Sequence, residues 1–172
     1  METKNIGSFE THLRIKNEIP VEIQLPRMIE ICNKNNVFMK EHNTDYLTED
    51  SLNWHPKLGI HSANVAPEFG VCETRCLLSL FDQEKLIKEK KEFLKIAYNS
   101  NKWEKWMLKD SKATHEDKCV IAGHYVFSNK RVLQLKKILN NKLTKKKTNL
   151  DKLLKKEISK TIYKYLKSFR LI

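Results

Sequence analysis

Asn36-Val37-Phe38-Met39-Lys40-Glu41-His42-Asn43-Thr44-Asp45-Tyr46 sets a short run of strand character directly against a polar cluster, and its reading decides the fold. Asn36 to Lys40 suits a short strand, and the Asn, Thr and Asp side chains that follow favour a turn over its continuation. The same event recurs on both sides. Downstream, Leu58-Gly59-Ile60-His61 leads into Ser62-Ala63-Asn64-Val65-Ala66-Pro67-Glu68-Phe69-Gly70, and upstream Ile6-Gly7-Ser8-Phe9 runs into Glu10-Thr11-His12. Between these strand candidates the pattern turns helical. Ile23, Met28, Ile29 and Cys32 share a face of a stretch from Val21 to Asn33. A short helix from Thr48 or Asp50 to Trp54 is expected to stop at His55-Pro56, because proline lacks an amide donor and restricts its predecessor. Helical spacing resumes from Val71 to Phe81. Strand and helix alternate, so an α/β fold is expected.

Beyond Phe81 the reading is almost wholly helical: Asp82 to Tyr98, a segment around Trp103 and Trp106, Glu116 to Phe127, Lys130 to Leu139, and Lys152 to Phe169. In the last of these, Leu154, Ile158, Ile162, Leu166 and Phe169 form an apolar stripe. Lys145-Lys146-Lys147 has nothing to bury and reads as an exposed linker. The expected organisation is a β/α region over residues 1–82 with three strand candidates and a helical region over 83–172.

With 172 residues, 40% of them hydrophobic, the chain is long enough and apolar enough to bury a core rather than stay disordered. No apolar run approaches the roughly 20 residues that span a bilayer, and the N-terminus lacks the apolar core of a signal peptide, so a cytoplasmic, membrane-free protein is expected. Charge is uneven. Residues 1–82 hold 8 Lys and Arg against 12 Asp and Glu, and the remainder holds 25 against 9. The lysines of the second half are interleaved with apolar residues at helical spacing, which a solvated helix face explains, and no nucleic-acid-reading motif accompanies them. No nucleic-acid partner is therefore expected. Cys32, Cys72, Cys76 and Cys119 lack the paired spacing of a structural zinc site and read as free thiols.

Parallel strands in a β/α layout end on one face, where such folds bind ligands. His12, His42 and His61 would gather there with Glu10, Glu41, Asp45, Asn64 and Glu68. Three histidines can hold zinc or another divalent metal with a position open to substrate, and Glu41 or Asp45 would move a proton. Ser62, Asn64 and Arg75 are candidate contacts for a phosphate or sugar. Each histidine can equally be a hydrogen-bonded structural residue, and Glu41 and Asp45 can merely cap the following helix.

Phe38-Met39-Lys40-Glu41-His42-Asn43-Thr44-Asp45-Tyr46, followed by Leu58-Gly59-Ile60-His61 through Arg75, resembles the non-catalytic subunit of class II D-tagatose-bisphosphate aldolases. The segment His42-Asn43-Thr44-Asp45-Tyr46 looks like that family's most specific signature, and the Asn64-to-Glu68 loop departs from its pattern. The resemblance implies that residues 1–82 are the later part of an aldolase-type (β/α) TIM barrel, with a helical C-terminal extension. It implies an accessory role in carbohydrate metabolism beside a catalytic class II aldolase subunit, or self-association. It implies a sugar phosphate as ligand, with His42, Thr44, Asp45 and Tyr46 the best matched positions. A metal-dependent aldolase or epimerase in its own right, or a non-functional fragment of a longer barrel, is the alternative. A complete barrel takes about 250 residues, so open strand edges in need of cover are expected.

Overall fold

A computed structural model describes residues 21–42, 44–107 and 110–172. Among them helix dominates, and the one sheet has two short parallel strands, β1 (Met39–Glu41) and β2 (Ile60–Ala63). The mixture of helix and parallel strand expected from the sequence is present in this form. The strand candidate ending at His12 lies outside the described residues. The described chain forms two compact units, one of residues 21–68 and 162–172, the other of residues 69–161.

In the first unit the order is α1 (Val21–Lys34), β1, α2 (Glu49–Leu58), β2, the start of α3 (Pro67–Gln83) and the end of α7 (Leu150–Ser168). Parallel strands need a crossover, and α2 supplies it. Register runs Met39 to Ile60, Lys40 to Ser62 and Glu41 to Ala63, with an irregularity between Met39 and Lys40. Met39 and Glu41 face inward while Lys40 faces solvent, the period-2 alternation of a strand. The strands start later than the sequence suggests. Val37 and Phe38 have strand character but no partner strand and stand 53% and 83% exposed. Leu58 closes α2, and Gly59 is its left-handed cap at φ 81°, giving its N–H to the carbonyls of His55 and Pro56.

Helix α2 therefore runs through Pro56 instead of stopping there. Its start is capped by Thr48, whose hydroxyl accepts from the Ser51 amide at 3.1 Å. Pro56 sits in the last turn, where the helix loses one amide bond and the glycine cap takes up the free carbonyls. Pro67 opens α3 at the position where its missing N–H costs nothing.

The second unit packs the rest of α3 and α7 with α4 (Ile87–Asn99), α5 (His115–Ala122) and α6 (Lys130–Thr144), and short 3₁₀ turns at Glu104–Trp106 and Gly123–Val126. Phe81, Phe93 and Phe127 form a chain of tilted rings through its core. The helix expected over residues 82–98 is broken. Lys85 takes a left-handed φ of 57°, and the Leu86 amide donates back to the Phe81 carbonyl at 2.8 Å, closing α3 with buried Leu86 as its apolar lock. This closure lacks the usual glycine, so the sequence does not announce it. The helix expected from Glu116 to Phe127 likewise tightens into a 3₁₀ turn at Gly123. A Cβ there would lie 2.3 Å from Thr74 Cγ2, and one at Gly70 would lie 2.4 Å from His124 Cγ, so both glycines are required by close approach. No helix among the described residues is long and apolar enough to cross a membrane.

Candidate functional site

Beyond the strand ends the backbone of the first unit is stitched together. The Asn64 amide donates to the Glu41 carbonyl at 3.0 Å, extending the ladder by one rung, and the Asn64 carbonyl accepts both the amide (3.2 Å) and the hydroxyl (3.0 Å) of Thr44. This brings the side chains of His42 and Asn64 together on the rim, with His42 Nε2 and Asn64 Nδ2 3.4 Å apart. His42 is exposed and Asn64 half-buried. Ser62 is exposed on β2.

Glu41 and Asp45 are turned inward and engaged. Glu41, 8% exposed, places Oε2 2.5 Å from Nε2 of His55, itself 1% exposed. His55 Nδ1 lies 3.0 Å from the Ser51 carbonyl, and Phe169 packs against the imidazole. Asp45, 1% exposed, accepts the amides of Ala66 (3.1 Å) and Glu68 (2.8 Å), so it caps the start of α3. Burial pushes the Asp45 carboxyl above the usual carboxylate range, partly offset by those two amides, while the charge of Glu68 adds to the rise.

Glu68 is the hub of a second cluster. Its carboxylate accepts the Tyr46 amide at 2.6 Å, the Lys164 ammonium at 2.7 Å and the Tyr165 hydroxyl. Lys164 also donates to the Leu47 carbonyl at 3.2 Å, and the Tyr165 hydroxyl stands 2.9 Å from the buried Thr44 carbonyl. Burial and the neighbouring Glu68 carboxylate push the Tyr165 phenol well up, so it remains a donor. Tyr46 is held at a left-handed φ of 66°, uncommon for a residue with a side chain, with its amide fixed by Glu68. Residues 44–47 are thus locked by the end of α7.

Of the residues expected from sequence, the structure brings some to the rim and buries others. His42, Asn64 and Ser62 lie at or near the rim, whereas Glu41, Thr44 and Asp45 are buried and their polar groups bind the protein itself. His61 is exposed further back on β2, its Nδ1 3.4 Å from the Met39 amide and its ring 4.6 Å from that of Phe38. Among the described residues no group of three His, Cys, Asp or Glu side chains could hold a metal ion, and His12 lies outside them. Arg75 is an exposed residue of α3 in the other unit. The cysteines are free, and burial pushes Cys119 up to about 11, leaving it a protonated thiol at neutral pH. Sequence reasoning missed His55, Lys164 and Tyr165. His55 reads only as the residue before a proline, and the last two lie on a helix whose stripe advertises its apolar neighbours.

Comparison with family models, curated proteins and solved structures gave no match.

Proposed function

We propose that the protein is an accessory, sugar-phosphate-binding subunit of a class II tagatose-bisphosphate-type aldolase, with β1, α2, β2 and α3 as later β/α units of an aldolase-type barrel. The observation that carries this reading is the pairing of His42 with Asn64 across the C-terminal ends of two parallel strands. That rim is where β/α folds bind ligands, and an imidazole and a carboxamide suit the hydroxyl and phosphate oxygens of a sugar phosphate. Ser62 adds a hydroxyl nearby.

The engagement of Glu41 by His55, and of Asp45 by the α3 amides, favours a binding role over proton transfer by these two carboxylates. Exposed Val37 and Phe38 flank a two-stranded parallel sheet, and parallel sheets are ordinarily covered on both faces, which supports a covering partner such as the catalytic subunit. The test is co-purification with a catalytic class II tagatose-bisphosphate aldolase. A stable complex with raised aldol-cleavage activity supports the accessory role, retro-aldol activity of the chain alone would replace it with an enzyme, and neither complex nor sugar-phosphate binding would sink it.

A further inference from the structure

A cleft of about 610 Å³ opens in the unit of residues 69–161, lined by Lys91, Glu92, Lys95, Ile96, Asn99, Asn129 and Arg131. It uses no residue of the strand-end site. Lys91 and Lys95 lie one turn apart on α4, so both ammonium groups lie on one face of that helix. The only negative lining charge is Glu92. Arg131 already meets it through two bonds, Nε to Oε1 at 2.5 Å and Nη2 to Oε2 at 2.8 Å, with Glu89 a more distant acidic neighbour of the same guanidinium. No close ion pair joins Lys91 or Lys95 to a carboxylate among the described residues, although the Lys95 charge also acts on Glu92. Asn129 spends its carbonyl oxygen capping α6, accepting from the Arg131 amide at 2.8 Å, and keeps its two N–H donors. The cleft thus offers two ammonium groups outside any close ion pair, carboxamide donors and a guanidinium oriented by Glu92 and Gln134, with no free acceptor of matching strength.

We propose that this cleft is an anion site for a small phosphorylated molecule, with Lys91 and Lys95 as its principal ligands. A phosphate ester supplies the two or three anionic oxygens that a pair of adjacent ammonium groups can share, and its hydroxyl-bearing remainder suits Asn99 and Asn129. Glu92 acts against the ligand directly and by occupying Arg131, so it sets how tightly an anion is held.

Inorganic pyrophosphate is the probe, titrated into the full chain at low ionic strength and followed by amide NMR shifts. Saturable shifts centred on residues 91–99 and 129–131 are expected. The double substitution Lys91→Gln, Lys95→Gln should weaken binding by at least about ten-fold, since charge-assisted bonds are lost. Glu92→Gln should tighten it, and the shifts at residues 91–99 and 129–131 should persist in Asn64→Ala, which separates this site from the strand ends. Absence of saturation, or equal affinity in the double variant, would overturn the proposal. So would tight binding of a single-stranded oligonucleotide at a concentration where pyrophosphate does not bind, because the charge would then serve a polymer backbone.

Discussion

Glu41 and His55 form a buried pair, Oε2 to Nε2 at 2.5 Å, that ties the last residue of β1 to the helix crossing over to β2. Both ring nitrogens face oxygen acceptors, the carboxylate on one side and the Ser51 carbonyl on the other. Glu41→Ala leaves the buried Nε2 without its carboxylate while Nδ1 keeps the Ser51 carbonyl, so it should cost about 3–5 kcal/mol. Glu41→Gln retains an acceptor for the imidazole and should cost about 1–2 kcal/mol. Urea unfolding of the two variants gives the comparison, and equal losses would mean that the charge is irrelevant.

Tyr165→Phe removes one hydroxyl and nothing else from the core. The hydroxyl has one proton, which the Thr44 carbonyl, in a residue that is 0% exposed, or the Glu68 carboxylate accepts, so the substitution strands one acceptor. An unsatisfied buried acceptor costs about 1–3 kcal/mol. The loss should fall locally, on the loop that α7 holds. Hydrogen exchange at the Tyr46 and Thr44 amides should accelerate more than exchange in α5 or α6, and uniform acceleration would contradict the lock.

Stability should fall on mild acidification because of His124. Burial, with Lys105 nearby, holds its imidazole below the ordinary 6.5, and Nδ1 is buried with no hydrogen-bond partner among the described residues. Below pH 6.5 the unfolded chain takes up a proton that the native ring refuses, so stability drops as pH falls, until the native value is reached. His124→Gln should flatten the stability profile between neutral pH and that value. An unchanged slope would assign the loss to other groups.

Asp45 works with the opposite sign. Its carboxyl is raised above the ordinary 3.8 chiefly by burial, so the native form takes up a proton before the unfolded one does, and this group resists acid unfolding over that window. What α3 needs from it is an oxygen acceptor. Asp45→Asn should therefore remain within about 1 kcal/mol of the parent at pH 7, whereas Asp45→Ala should lose about 1–2 kcal/mol through the missing cap. Denaturation midpoints of the two variants at pH 7 decide it.

Periodicity in the sequence located most helices, because burial of one face leaves a direct trace. Helix α1 was expected to span Val21 to Asn33 and spans Val21–Lys34. Where the outcome turned on pairing or on backbone conformation, the trace was weaker. Val37 and Phe38 have the composition of a strand, yet only residues with a hydrogen-bonded neighbour become one. Lys85 ends α3 in a conformation usually left to glycine. The chemistry of the Thr44-Asp45-Tyr46 segment was legible as polar and specific, but not its direction. The Tyr165 hydroxyl, 121 positions away, stands 2.9 Å from the Thr44 carbonyl, and no local pattern encodes a contact of that range.

Sugar-phosphate binding at the strand-end rim is measured by calorimetric titration with D-tagatose 1,6-bisphosphate, using the parent chain, His42→Ala and Asn64→Ala. Both substituted side chains reach the rim and neither fills the core, so the fold should persist. Saturable binding to the parent should fall by about ten-fold or more in each variant, as a bound oxygen loses its donor. Binding of equal strength in all three proteins, or none to the parent, would contradict it.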